Sequence, residues 1–280
     1  TEDLAEAARL LPPTPGPEKA RVANIAAYTL LAKVYLTFGK PAEAKTALEE
    51  AMKNTSYGLE STTKKVFDVG NKMNREIIFA LYYNKTNDNG HGYWYSANTD
   101  VLADINNPTP TFKAIYDSEK DNRLPLISSY TKIKDNLFAM TKWYDTYDAT
   151  YTTQVGNDFP HLRYADVVLM YAEALAESGS SLGDALVWLN KTRTRAGLDA
   201  LRTEDIPSKG AFIEALADER GREFALEGHR WFDLVRLGLA LDRFHEMGYK
   251  LDAHNLLFPI PQNQIEIVND KTILWQNPGY

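Results

Sequence analysis

Two stretches of this chain repeat on a helical period, with small residues where helices meet, and residues 54–160 between them show no such period. In the first, Tyr28, Leu31, Ala32 and Tyr35 are followed, across a Gly39-Lys40-Pro41 turn, by Ala44, Leu48 and Ala51. In the second, Val168, Tyr171, Ala172 and Leu175 are followed by Ala185 and Leu189, one residue late. Alanines let two helices approach, and the larger side chains fill the remaining gaps. Gly39 suits the end of one helix and Pro41 the first turn of the next. Residues 20–53 are therefore expected to form an antiparallel helix pair, and residues 161–245 a longer helical segment.

This is the spacing of a tetratricopeptide helix pair, but two imperfect copies so far apart do not make a regular solenoid. The expected fold is mainly α, with tetratricopeptide-like helix pairs packed against a loop-rich region holding little β structure. The parts are 1–53, a helical framework; 54–160, an irregular region suited to ligand; and 161–280, a second helical framework and tail, together one compact unit. Residues 1–19 begin with a short helix (DLAEAARLL) and pass into PPTPGP, which cannot continue it. Residues 54–160 are expected to hold loops, a few short helices and a small hairpin, and 246–280 an extended, proline-punctuated tail.

Composition excludes several classes of function. A net charge of -7 argues against nucleic acid, which needs a concentrated basic face. No apolar run approaches the roughly 18 residues needed to span a bilayer. With no cysteine there is no disulfide and no thiolate metal site. In NKTNDNG, aligning Gly90 to the calcium-loop glycine puts Lys85 at the first ligand position and Ser96 at the last, which rejects an EF-hand. Nucleotide-binding and nucleophile-elbow motifs are absent. No metal or cofactor is expected. The chain starts at Thr1, without an initiator Met or signal peptide, which reads as a processed chain or a fragment.

The stretch EFALEGHRWFDLVRLG, Glu223–Gly238, mixes ionised and aromatic residues closely. Read as one helix with the residues before it, it places Glu219, Arg222, Glu223, Glu227, Arg230 and Asp233 in one sector beside Phe224, Trp231 and Val235. Glutamates four apart repel, and a carboxylate stripe flanked by apolar residues must be paired to be buried. A metal site would need Glu-x-x-His or His-Glu-x-x-His, and neither occurs. The stripe is expected to be a structural ion network.

These residues also carry a family resemblance. DERGREFALEGHRWFDLVRLG (Asp218–Gly238), RYADVVLMYAEALAE (Arg163–Glu177), LNKTRTRAGL (Leu189–Leu198) and the ending FPIPQNQIEIVNDKTILWQNPGY (Phe258–Tyr280) closely resemble the SusD/RagB family. Gly221 and Phe224 depart from its pattern on a structural helix. The resemblance implies a non-enzymatic, lipid-anchored protein on the bacterial outer-membrane surface. Such a protein captures oligosaccharide or polysaccharide, in some members peptide, for a SusC-like TonB-dependent transporter. It also implies that this chain corresponds to the C-terminal portion, with the lipid anchor upstream.

Ligand contacts must come from the irregular region, which holds more than half of the 16 tyrosines. Sugar rings stack on aromatic faces while amides and carboxylates bind their hydroxyls. Tyr93, Trp94, Tyr95, Asn98 and Asp88 form the first candidate group, and Trp143 with Tyr144 the second. The alternatives are a peptide-binding or tetratricopeptide-like interaction module, and a glycosidase using a carboxylate pair such as Asp145 and Asp148.

Overall fold

The computed structural model describes residues 1–14, 21–83, 96–98, 108–128, 130–134, 137–143 and 156–280. Their contacts divide the chain into two units, Thr1–His229 and Arg230–Tyr280. The first begins with α1 (Glu2–Leu10), α2 (Asn24–Thr37) and α3 (Pro41–Met52). Gly39, at φ +66°, ends α2 in the left-handed region, and Pro41 opens α3 where a missing N–H costs nothing.

The irregular region then supplies α4 (Thr63–Val66), β1 (Ile77–Leu81), β2 (Ser96–Asn98), α5 (Pro110–Lys113), α6 (Leu124–Ser128), β3 (Tyr130–Lys134), β4 (Leu137–Met140) and β5 (Phe159–Arg163). Strands β1 and β5 pair antiparallel, with Ile77 opposite Arg163 and Leu81 opposite Phe159. A three-stranded antiparallel sheet has the order β2-β4-β3. Among the described residues the β structure thus amounts to two small sheets on a mainly α fold.

Three long helices complete the unit: α7 (Tyr164–Glu177), α8 (Leu182–Arg195) and α9 (Lys209–Glu223). Ser181 and Ser208 cap α8 and α9, accepting hydrogen bonds from the Asp184 and Ala211 amides at 3.1 and 3.2 Å. The two helical stretches share one core. Ala26, Ala32, Ala44, Ala47, Leu48 and Ala51 of α2 and α3 meet Val167, Met170 and Ala174 of α7, with Ile78 and Leu162 of the sheet beneath them. On the other side of α7, Leu169 and Leu175 pack with Leu186 and Leu189 of α8 and Phe212 and Leu216 of α9.

The helix expected to run through Glu223–Gly238 is interrupted. α9 stops at Glu223, Leu226 and Gly228 take φ of +65° and +82°, and a new helix, α10, starts at Arg230. Arg230 and Asp233 therefore do not continue the carboxylate face of α9, which corrects the single-helix reading. The physical reason is a permissive glycine combined with a long-range pairing. Gly228 adopts the left-handed conformation freely, and the break turns the Glu227 carboxylate onto two buried cations instead of leaving it to repel Glu223 one helical turn away.

The second unit holds α10 (Arg230–Arg236), α11 (Ala240–Glu246) and α12 (Gln262–Val268). Helix α12, with a short 3-10 turn at Ala253–Leu256, corrects the expectation of a wholly extended tail. Within α10, Asp233 pairs with Arg236 at 2.9 Å. The terminal residues fold back on this unit. The Gln276 amide accepts from the Ile260 N–H at 2.7 Å and donates to its carbonyl at 2.9 Å, and Asn277 donates to the Phe258 carbonyl. Gly279 (φ +95°) is required here, because a Cβ would stand 2.5 Å from the His254 side chain.

Candidate functional site

The carboxylates of α9 and the turn after it are buried and fully engaged. Arg163, at the junction of β5 and α7, lies at the centre. It donates to Glu227 at 2.7 Å, to Glu76 at 2.8 Å, to Glu223 at 2.6 Å and to the Glu223 carbonyl. Arg195 of α8 bridges Glu76 and Glu223, and buried Lys142 reaches Glu227 and the Ala225 carbonyl. Arg123, just before α6, joins Asp121, Glu219 and Glu223 at 2.7–3.0 Å. Arg222 holds the outer oxygen of Glu219. Among the described residues, Glu76, Asp121, Glu219, Glu223 and Glu227 thus face Arg123, Lys142, Arg163, Arg195 and Arg222, with Arg193 also 3.9 Å from Glu219, so each buried carboxylate has a cationic partner.

Electrostatics follow from this packing. Burial opposes ionisation of Glu223, but the Arg195, Arg163 and Arg123 guanidiniums outweigh it and hold the carboxyl well below the usual range. Burial, against Arg195 and Arg163, pushes its neighbour Glu76 up. A split between paired carboxylates can mark an acid and a base. Here both side chains are sealed from solvent, and Glu76 accepts from two arginines and the Glu60 amide. No substrate reaches them, and the arrangement is a clamp. Glu76, Arg123, Lys142 and Arg163 belong to the irregular region and its exit, while Arg195, Glu219 and Glu223 belong to the helices. The network fastens one to the other.

A second buried cluster closes the helical frame. Asp166 of α7 pairs with Arg220 of α9 at 2.8 Å and with Lys33 of α2 at 3.0 Å. His229 stacks on Phe224, and its Nδ1 lies 3.5 Å from both the Lys33 and Arg220 nitrogens. Burial first, then those two cations, push the His229 imidazole down to about 4. Below pH 6.5 the unfolded histidine takes up a proton that folded His229 refuses until about pH 4. Folding therefore weakens as pH falls across that window, by at most about 3 kcal/mol. His229→Gln should flatten that part of the stability–pH curve, followed by urea unfolding at pH 7, 5.5 and 4; an unchanged slope would contradict the placement.

A family model for the SusD family matches residues 119–280, more than half of the chain. The chain belongs to the SusD family. SusD-like protein P2 of Formosa agariphila is 27% identical over 99% of this chain. The chain spans 63% of the length of that relative. The starch-binding protein SusD of Bacteroides thetaiotaomicron is 30% identical over 51% of this chain and 26% of its own. A solved laminarin-binding SusD-like protein superposes over 100% of this chain and 68% of its own, with a TM-score of 0.72 and 26% identity.

In this SusD-family chain the expected ligand residues fall in three places. Tyr93, Trp94, Tyr95, Asp88 and Tyr144 lie outside the described residues. Asn98 ends β2, with its backbone opposite Leu137 of β4. Trp143 is 2% exposed, its ring 5.1 Å from Phe67 and 5.9 Å from Phe159, in a cluster with Ile127, Met140 and Ala225. This corrects the expectation that Trp143 offers a face to ligand: it is core. Adjacent Lys142 explains the burial, since its pairing with Glu227 draws the segment inward. Sequence reading also missed Arg123, Arg163 and Arg195, although Arg163 and Arg195 both lie in the motifs that carry the family resemblance.

Proposed function

We propose that this chain is the glycan-capturing part of a SusD-type protein, taking up oligosaccharides at the outer-membrane surface for delivery to a SusC-like TonB-dependent transporter. The observation that carries this reading is membership of the SusD family together with 30% identity to a protein named for starch binding. The likeness to a laminarin-binding relative supports the same ligand class. The buried carboxylates of the described residues serve the ion clamp, which favours a binding role over a hydrolytic one. Among the described residues no helix is long and apolar enough to cross a membrane.

The proposed glycan contacts are Trp94 with Tyr93 and Tyr95, supported by Asp88, Asn98 and Tyr144. Affinity gel electrophoresis through starch, laminarin and acidic polysaccharides tests this. At least one glycan should retard the chain, and Trp94→Ala should abolish most of that shift without altering mobility in a plain gel. Retardation that survives in the variant would remove Trp94 from the site.

A further inference from the structure

A second place in the Thr1–His229 unit has the makings of a ligand site. An open cavity of ≈ 410 Å³ sits between the α3–α4 connection and β1, lined by Tyr57, Lys72, Met73, Arg75 and Ile78 among others. That volume lies within the range of small-ligand pockets and suits one or two sugar units. Arg75, which is exposed, is the lining cation left available to a ligand. Its guanidinium makes no hydrogen bond or ion pair with another described residue, although most other arginines of this unit are paired. Its side chain passes over buried Gly58, whose amide donates to the Arg75 carbonyl at 3.0 Å, and a Cβ on Gly58 would stand 2.2 Å from a guanidinium nitrogen.

The remaining groups define the ligand chemistry. The other lining cation, Lys72, is engaged by Asp158 at 2.7 Å and by the Tyr83 carbonyl, and Asn74 spans the Val66 and Asn71 carbonyls. The Tyr57 hydroxyl, like Arg75, has no partner among the described residues. Among the described residues no acidic side chain lines the cavity, in a chain of net charge -7. A guanidinium with no partner among the described residues can bind a carboxylate through two parallel hydrogen bonds. Tyr57 and Met73 offer apolar surface for the C–H face of a sugar ring.

We propose that Arg75, seated on Gly58, and Tyr57 form a subsite for a carboxylate-bearing oligosaccharide, that is, an oligouronide. This rests on the glycan reading above and names an acidic ligand within it. Isothermal titration of the full chain with tetragalacturonate at low salt should saturate, and the affinity should fall as salt is raised. Arg75→Gln should weaken it roughly 10- to 100-fold, the worth of a charge-assisted hydrogen-bond pair. Gly58→Ala should weaken it similarly while keeping the charge, because the methyl displaces the guanidinium. Laminarihexaose titrated into the same samples reads the glycan function independently of Arg75. No saturation by tetragalacturonate, or unchanged affinity in Arg75→Gln, overturns the subsite; laminarihexaose binding would then leave the glycan reading standing. If neither sugar binds the unaltered chain, both are overturned. Equal Arg75-dependent binding of tetraglutamate overturns the commitment to a sugar.

Discussion

Arg163→Ala should destabilise the Thr1–His229 unit by roughly 3–5 kcal/mol, the cost of stranding buried charge after one partner is removed. The melting temperature should fall by about 10 °C. Three carboxylates share this guanidinium; among the described residues Glu227 would keep Lys142, Glu76 would keep Arg195, and Glu223 would keep Arg195 and Arg123. A buried ion network is often no more stable than an apolar core of the same shape. What is expensive is breaking it on one side. The cost should therefore shrink when a partner charge is removed too. Glu227→Gln should cost less in an Arg163→Ala background than alone, a coupling that a double-mutant cycle reads directly. Additive effects, or an unchanged melting temperature for Arg163→Ala, would mean that the side chain does not hold these carboxylates.

Trp143→Ala should cost a further class of stability, roughly 3–5 kcal/mol, through the cavity left among Phe67, Phe159, Met140 and Ile127. The glycan retardation of the protein that remains folded should be unchanged, because the ring faces core. The contrast with Trp94→Ala is the informative part: one tryptophan carries stability and the other binding. If Trp143→Ala melted normally but lost retardation, the ring would have to reach ligand, and the packing described above would be wrong.

Sequence made some of this legible and hid the rest for identifiable reasons. The α2–α3 pair was readable because Gly39, Pro41 and the alanine spacing are local signals, and local signals decide helix ends. The stripe of Glu219, Glu223 and Glu227 was readable as paired, since three glutamates flanked by apolar residues have no other stable state. Its partners were not. Arg123 pairs with Glu219 from 96 residues away and Arg163 with Glu227 from 64, and nothing in a helical wheel points there. The wheel also assumed continuity through Gly228, where the tertiary pairing of Glu227 outweighs one more turn of helix. Trp143 was misread because aromatic density in an irregular segment is the same for a ring on a loop and a ring pinning that loop to the frame. What separates them is the neighbouring Lys142, whose burial only the fold reveals. The Gln276–Tyr280 ending was readable as a motif, and the fold supplies its reason: the Gln276 and Asn277 amides satisfy the Ile260 and Phe258 backbone.

The glycan reading is tested most directly by titrating the chain in a calorimeter with laminarihexaose, maltohexaose, tetragalacturonate and, in parallel, a mixed-sequence hexapeptide. Saturable heat with at least one of the sugars and none with the peptide is the predicted result. Saturation by the peptide, with no sugar binding, would contradict it and make the helical frame a peptide-capturing one.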